Sequence, residues 1–192
     1  MDLSIDKIQY LIDGCTNGNP LVQREFYYAY YPILMKVSVR YADSQEDAEQ
    51  WVNDGFLKVF NALNQYKFQG SFEGWVKKVI TRVCLDHIRA ANAKKNEVEQ
   101  QTLYNMDQSN AVASLCVDNM VNEKYSEAEV LSVMKKLPEK QRMVFNLFVF
   151  EEYNHKEIAS ELSITENHSH WLLHQAKKTL KLFMTSQPKV KI

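Results

Sequence analysis

Six residues along Ser71–Ala90, SFEGWVKKVITRVCLDHIRA, have the types needed to hold a polyanion: Trp75, Lys77, Lys78, Arg82, Asp86 and Arg89. Four are cations and one is an indole. The single acid stands one helical turn from both Arg82 and Arg89, where it can pair along a helix. Phe72, Trp75, Val76, Val79, Ile80, Val83 and Cys84 recur at helical spacing and make one wide apolar stripe. Ser71 is placed to cap the helix, and Glu73 in its first turn suits the helix dipole. Such a face binds by charge and stacking: phosphates against ammonium and guanidinium groups, unpaired bases against an aromatic ring. The same pattern also describes an amphipathic core helix with a solvated basic side.

A second group lies in NHKEIASELSITENHSHWLLHQAKKTL, which reads as two helices joined by a short turn. The first helix buries Ile158, Ala159 and Leu162, the small Ala159 allowing a close crossing, and Ile164 plugs the angle. Ser169, Leu172, Leu173, Ala176 and Leu180 form the inner face of the second helix. Glu166, Asn167, His170, Trp171, His174 and Lys178 form its outer face, with Thr165 at its start and Lys177 beside Lys178. A helix of this kind fits the major groove, where asparagine can pair with adenine.

Other chemistries find little support. His170 and His174 share a helix face, but His168 points about 160° away from His170, so the three do not form a metal site. No serine or cysteine sits in a recognisable nucleophile setting, and Cys84 belongs to an apolar stripe. Neither a catalytic residue, a cofactor nor a metal is expected. Cys15, Cys84 and Cys116 are odd in number and widely separated, as expected of reduced, cytoplasmic thiols. The first residues, MDLSIDKIQYLIDG, are polar and acidic, unlike a signal peptide. The longest apolar runs are too short to span a membrane.

The elements that must position these residues are helices. With 45% hydrophobic and 24% charged residues, and only 5 Gly and 4 Pro among 192 residues, the composition is that of an ordinary helical globular protein. A net charge of −1 means that any nucleic-acid binding comes from local patches, not from the chain as a whole. Ser4 caps a short helix ending near Gly14. Asn19-Pro20 starts another that Pro32 is expected to break or kink. Asp43 or Ser44 caps a third, whose stripe runs Ala48, Trp51, Val52, Gly55, Phe56, Val59, Phe60 and Leu63. Residues 96–125 are polar and lack sustained periodicity, so they read as a flexible linker. Ser126 and Glu129 make a capping box that opens a second helical region, and Pro138 and Asn154 start further helices. The predicted architecture is all-α: two small helical domains, residues 1–95 and 126–184, joined by the linker, the second a helix-turn-helix domain, with a tail at 185–192.

Four blocks, in order and at matching separations, resemble a sigma factor of bacterial RNA polymerase of the extracytoplasmic-function (ECF) type. DAEQWVNDGFLKVF resembles that family's polymerase-binding helix, and FEGWVKKVITRVCLDHIR its promoter-melting helix. LPEKQRMVFNLFVFEEYNHKEIA and ITENHSHWLLHQAKKTL resemble the start and the recognition helix of its second DNA-binding domain. The resemblance runs from about Asn19 to Leu182. It implies a transcription initiation factor that docks on core RNA polymerase, through Asp47, Glu49, Asp54 and Phe56. It assigns capture of the −10 element of promoter DNA to Trp75, Lys77, Lys78, Arg82, Asp86 and Arg89. Reading of the −35 element falls to Thr165, Glu166, Asn167, His170, Trp171, His174, Lys177 and Lys178. An anti-sigma protein as regulator, a monomer in the active complex and no membrane insertion are further implications. The departures from the family pattern are specific: Arg82 stands at a usual Asn, and Glu152, Ser163 and Asn167 at usual glycines. His170, Leu172 and Gln175 stand where basic residues are common, and Trp171 replaces a small polar residue. They leave open a second reading, a helix-turn-helix binding module or degenerate sigma-like regulator acting mainly through protein contacts.

Overall fold

The computed structural model describes residues 4–99 and 127–186, and every regular element among them is helical. The chain divides into two units, one holding α1–α4 and the other α5–α8.

In the first unit, α1 spans Ile5–Thr16 and α2 spans Pro20–Ser38. Ser4 caps α1, its Oγ accepting the Lys7 N–H at 3.3 Å. The helix continues through Gly14, where a larger residue would clash: an added Cβ would stand 2.6 Å from Val22 Cγ1. Asn19 caps α2 by accepting the N–H groups of Leu21 and Val22. Of the expected break or kink at Pro32, the break does not occur: α2 continues through it. An interior proline forfeits one helical hydrogen bond, but Phe26, Tyr30, Leu34 and Val37 form one continuous buried face across it, each no more than 3% exposed. That packing carries the helix on.

Helix α3 spans Gln45–Ala62, followed by a 3-10 turn at Leu63–Gln65, and α4 spans Phe72–Glu99. Ser44 caps α3, accepting the Asp47 N–H at 3.0 Å, and Ser71 Oγ accepts the Gly74 N–H at 3.3 Å. Helix α4 runs past Ala90, so residues 96–99 of the stretch expected as linker are helical. It packs on both α2 and α3, and its buried set is therefore wider than one stripe: Thr81, Leu85 and Ile88 join Phe72, Val76, Ile80, Val83 and Cys84. Phe26 is the hub. It is 0% exposed, stacks on Tyr30 at 4.6 Å and meets Phe56, Phe60 and Phe72 at 6.2, 5.5 and 6.1 Å.

In the second unit, α5 spans Glu127–Met134, α6 Glu139–Val149, α7 His155–Leu162 and α8 Glu166–Ser186. The expected Ser126 cap lies outside the described residues. Val133, Met134 and Leu137 pack on Ala176 and Leu180, with Val130, Phe145 and Phe183 at the edge. Asn154 and Glu157 form a complete capping box at the start of α7. The inner face of α8 is as predicted: Ser169, Leu172, Leu173, Ala176 and Leu180 are all buried.

Two residues of the second unit adopt left-handed backbone, Glu152 at φ 58° and Ser163 at φ 52°. Ser163 makes the turn between α7 and α8. A non-glycine residue there costs on the order of 1 kcal/mol. Ser163→Gly is thus expected to raise the melting temperature of the second unit by several degrees, as read by thermal denaturation of the full chain, provided the turn keeps its conformation. A lower melting temperature would contradict this account of the turn.

Candidate nucleic-acid interface

At about 100° per residue, Trp75, Lys78, Arg82, Asp86 and Arg89 fall within about 80° of one another on α4. Lys78, Arg82, Asp86 and Arg89 are exposed and Trp75 is half-buried. The stripe is about 21 Å long, room for about six stacked nucleotides. Lys77 does not belong to it. It lies about 160° from Trp75 and pairs with Glu73 at 2.8 Å. This bond holds the Glu73 carboxyl below its ordinary pKa, against an opposing effect of burial. In the free chain Lys77 is thus occupied with its own helix, apart from the stripe.

The stripe is fastened to α3. Asp86 accepts from Lys58 of α3 at 3.0 Å and from Arg89 at 2.6 Å. One turn away, His87 Nε2 lies 2.9 Å from Asp54 Oδ2, and the His87 ring stacks on Trp51 at 5.1 Å and 7°. Exposed ion pairs contribute only about 0.2–1 kcal/mol each. Their effect here is to neutralise the one acid on the stripe. Trp75 stacks on Phe72 at 5.9 Å and contacts Tyr66 at 5.6 Å, so its indole is held in place by core rings.

Sequence reasoning missed Phe68. It is 43% exposed, lies in left-handed backbone at φ 56° and rests against Tyr66 at 5.0 Å. It belongs to no periodic element, so no hydrophobic pattern marks it. An exposed ring near the start of a cationic stripe is a platform on which a base can stack.

The residues assigned to polymerase docking behave differently from one another. Phe56 is 3% exposed and packs on Tyr27 at 4.5 Å, so it is a core residue and offers no side chain to a partner. Asp47 accepts from the Ser44 hydroxyl at 2.7 Å, within the cap of α3. Glu49 accepts from Gln45 at 2.9 Å. Asp54 is engaged with His87 across the α3–α4 contact. The outward apolar residue on α3 is Leu57, 63% exposed. It lies roughly opposite the Val52–Phe56–Val59 stripe, a signal that the sequence did carry.

On α8, Thr165 Oγ1 accepts the His168 N–H at 3.2 Å and so caps the helix. Glu166, Asn167, His170, Trp171 and Lys178 are exposed, while His174 and Lys177 are half-buried. His170 stacks on His155 at 3.6 Å, and the Lys177 ammonium lies 5.6 Å from the centre of the Phe148 ring. These two are thus partly engaged in packing. Among the described residues no three His, Cys, Asp or Glu side chains are grouped to hold a metal ion, and no helix is long and apolar enough to cross a membrane.

Sigma-70 region 2 matches residues 26–94, the unit that carries the α4 stripe, and Sigma-70 region 4 matches residues 127–180, the unit that carries the helix-turn-helix. The chain belongs to the sigma-70 family of RNA polymerase sigma factors and is of the ECF type, a family of transcription factors rather than of enzymes. It is 20% identical over 151 residues to the ECF RNA polymerase sigma factor SigE of Mycolicibacterium smegmatis, a match covering 79% of this chain and 57% of that protein. The chain thus spans little more than half of that relative's length. Its fold is similar to the sigma factor RpoE, solved in complex with the anti-sigma factor NepR from Bartonella quintana. There the TM-score is 0.54 at 11% identity, over 86% of this chain and 98% of that one. It is also similar to CnrH, solved in complex with the cytosolic domain of CnrY, with a TM-score of 0.50 at 16% identity, over 93% and 97% of the two chains.

Proposed function

We propose that this chain is a transcription initiation factor that binds core RNA polymerase and confers promoter recognition and melting. In this reading α3 docks on the polymerase, with Asp47 and Leu57 on its exposed side and Glu49 at a half-buried edge. The α4 stripe takes the −10 element as an unpaired strand. Lys78, Arg82 and Arg89 hold its phosphates, and Trp75 and Phe68 stack on its bases. The outer face of α8 reads the −35 element as duplex: Asn167, Trp171 and His174 face the bases, and Lys178 the backbone. The working parts are residues 1–95 and 126–184. No catalytic residue, cofactor or metal enters this scheme, and the place of action is the cytoplasm, on the polymerase.

The observation that carries the reading is the stripe itself. A strip of cations and rings, its one acid neutralised from the neighbouring helix, lies directly against the helix proposed to dock. Binding to polymerase would then place the strand-holding face at the DNA. Lys78, Arg82, Arg89 and Lys178, neutralising about four phosphates, give a log-log salt slope of only about −3, so the free chain binds promoters weakly and needs the polymerase for specificity. The test is reconstitution with core RNA polymerase, which should open promoter DNA that the core enzyme alone leaves closed. An anti-sigma protein is the proposed regulator; the fold relative RpoE was solved in complex with the anti-sigma factor NepR. One copy of the chain serves each active complex.

A second reading, action through protein contacts, draws on Trp171, which is 36% exposed and flanked by His168 at 5.7 Å. Such a tryptophan suits a thymine methyl or an interface hot spot equally well. Trp171→Ser is expected to lower initiation from a −35-dependent promoter by about tenfold, the effect of losing one base contact worth about 1–3 kcal/mol. Unchanged initiation together with a lost protein partner would favour the second reading.

A further inference from the structure

Three rings stack across α6, α7 and α8. Phe148 lies against His155 at 4.7 Å, and His155 lies against His170 at 3.6 Å. Lys177 stands over the far ring, 5.6 Å from the Phe148 centroid. His155 also reaches the inner face of α8, where its Nδ1 is 2.9 Å from the Ser169 hydroxyl. Ser169 is 0% exposed. A buried hydroxyl on an otherwise apolar helix face needs a hydrogen-bond partner, and the imidazole supplies one. A single side chain of α7 thus holds α8 twice, by a hydrogen bond and by a ring stack.

We propose that His155 is a positioning residue for the recognition helix, clasping α8 through Ser169 and His170, and that acid releases the clasp. Calling α8 a recognition helix rests on the function proposed above, whereas the clasp does not.

The charges around His155 set the direction. The neutral imidazole stacks as an apolar ring. A proton makes it a cation 3.6 Å from a second titratable ring. From α8 the facing groups are His170 and Lys177, which oppose the proton, and Glu166, which favours it. From α6 the facing group is the uncharged Phe148. Burial is the largest influence, followed by His170, and together they hold the His155 pKa below its ordinary 6.5. A lowered pKa in the folded state means that the unfolded chain binds the proton more readily. The contribution to stability is complete above pH 6.5 and is lost as pH falls below 6.5 through the lowered folded value.

Hydrogen exchange of the full chain between pH 7.5 and 5.5, corrected for intrinsic rates, reads this directly. Helices α1 and α2 carry no histidine and serve as the reference. Amides of α7 and of the first turns of α8 are expected to lose protection several-fold relative to α1–α2, with an upper limit of about tenfold per pH unit for one proton. His155→Gln keeps a hydrogen-bonding group beside Ser169 but takes no proton, and it should flatten the profile. His170→Gln, which removes the second ring, should reduce it in a protein that keeps the Ser169 bond. No loss of protection in the wild type, or the same pH dependence in His155→Gln, overturns the proposal. If α7–α8 loosen in acid while initiation from a −35-dependent promoter holds constant, the clasp stands and the DNA-reading role of α8 fails.

Discussion

Lys78→Glu/Arg82→Glu is expected to abolish promoter opening by the reconstituted holoenzyme while leaving the helical fold intact. Both side chains are exposed on the outward stripe of α4, so their replacement leaves the apolar core untouched and should cost far less stability than truncation of a buried ring. Their effect on a bound strand is much larger. Each lost phosphate contact weakens binding and removes about one unit of salt slope. Each reversal also sets an anion against the phosphates, where unlike-charge attraction had been. A loss of at least about 100-fold in open-complex formation, or about 2.8 kcal/mol, follows. Lys77→Gln is the matched control. Its residue lies on another face and is held by Glu73, so opening should survive. Equal losses in the two variants would show that the strand does not follow this stripe. Circular dichroism and permanganate footprinting of the opened strand give the two readouts.

The second large effect concerns the frame behind the stripe. Phe26→Ala removes a fully buried ring that touches the rings of α2, α3 and α4. Truncating a buried phenylalanine costs about 3–5 kcal/mol, against a total stability of about 5–15 kcal/mol for a domain. The melting temperature of the first unit should fall by more than about 12 °C. Polymerase binding and promoter opening should be lost together at temperatures where the wild type is folded. Unchanged melting would mean that Phe26 is not the hub of this core.

Much of this arrangement was legible in the residues. The caps at Ser4, Asn19, Ser44, Ser71 and Asn154 are local chemistry, in which a side-chain oxygen meets N–H groups two or three residues on. The inner face of α8 follows from spacing alone. Ser163 lies in the short turn expected between α7 and α8, whereas its left-handed backbone and that of Glu152 were not anticipated. What escaped depends on contacts between elements. Periodicity separates a buried face from an exposed one, but it does not say that α4 is covered by two helices. That is why Thr81, Leu85 and Ile88 were not counted in the core. Phe56 was assigned to docking from its place in a matching block, although its own position on the α3 stripe marked it as core. Pro32 was read as a local break or kink; the helix does not break there, carried on by the long buried face of α2. The Asp54–His87 and His155–His170 contacts join residues far apart along the chain, and no spacing rule brings them together.

The central claim is that this chain gives RNA polymerase its promoters. It is tested most directly by adding the purified chain to core RNA polymerase on a promoter library and mapping the start sites of the transcripts. The account predicts new, discrete start sites, preceded by a shared pair of sequence elements, that are absent with core enzyme alone and absent with the Lys78→Glu/Arg82→Glu chain. A folded chain that binds core polymerase yet redirects initiation nowhere would contradict it.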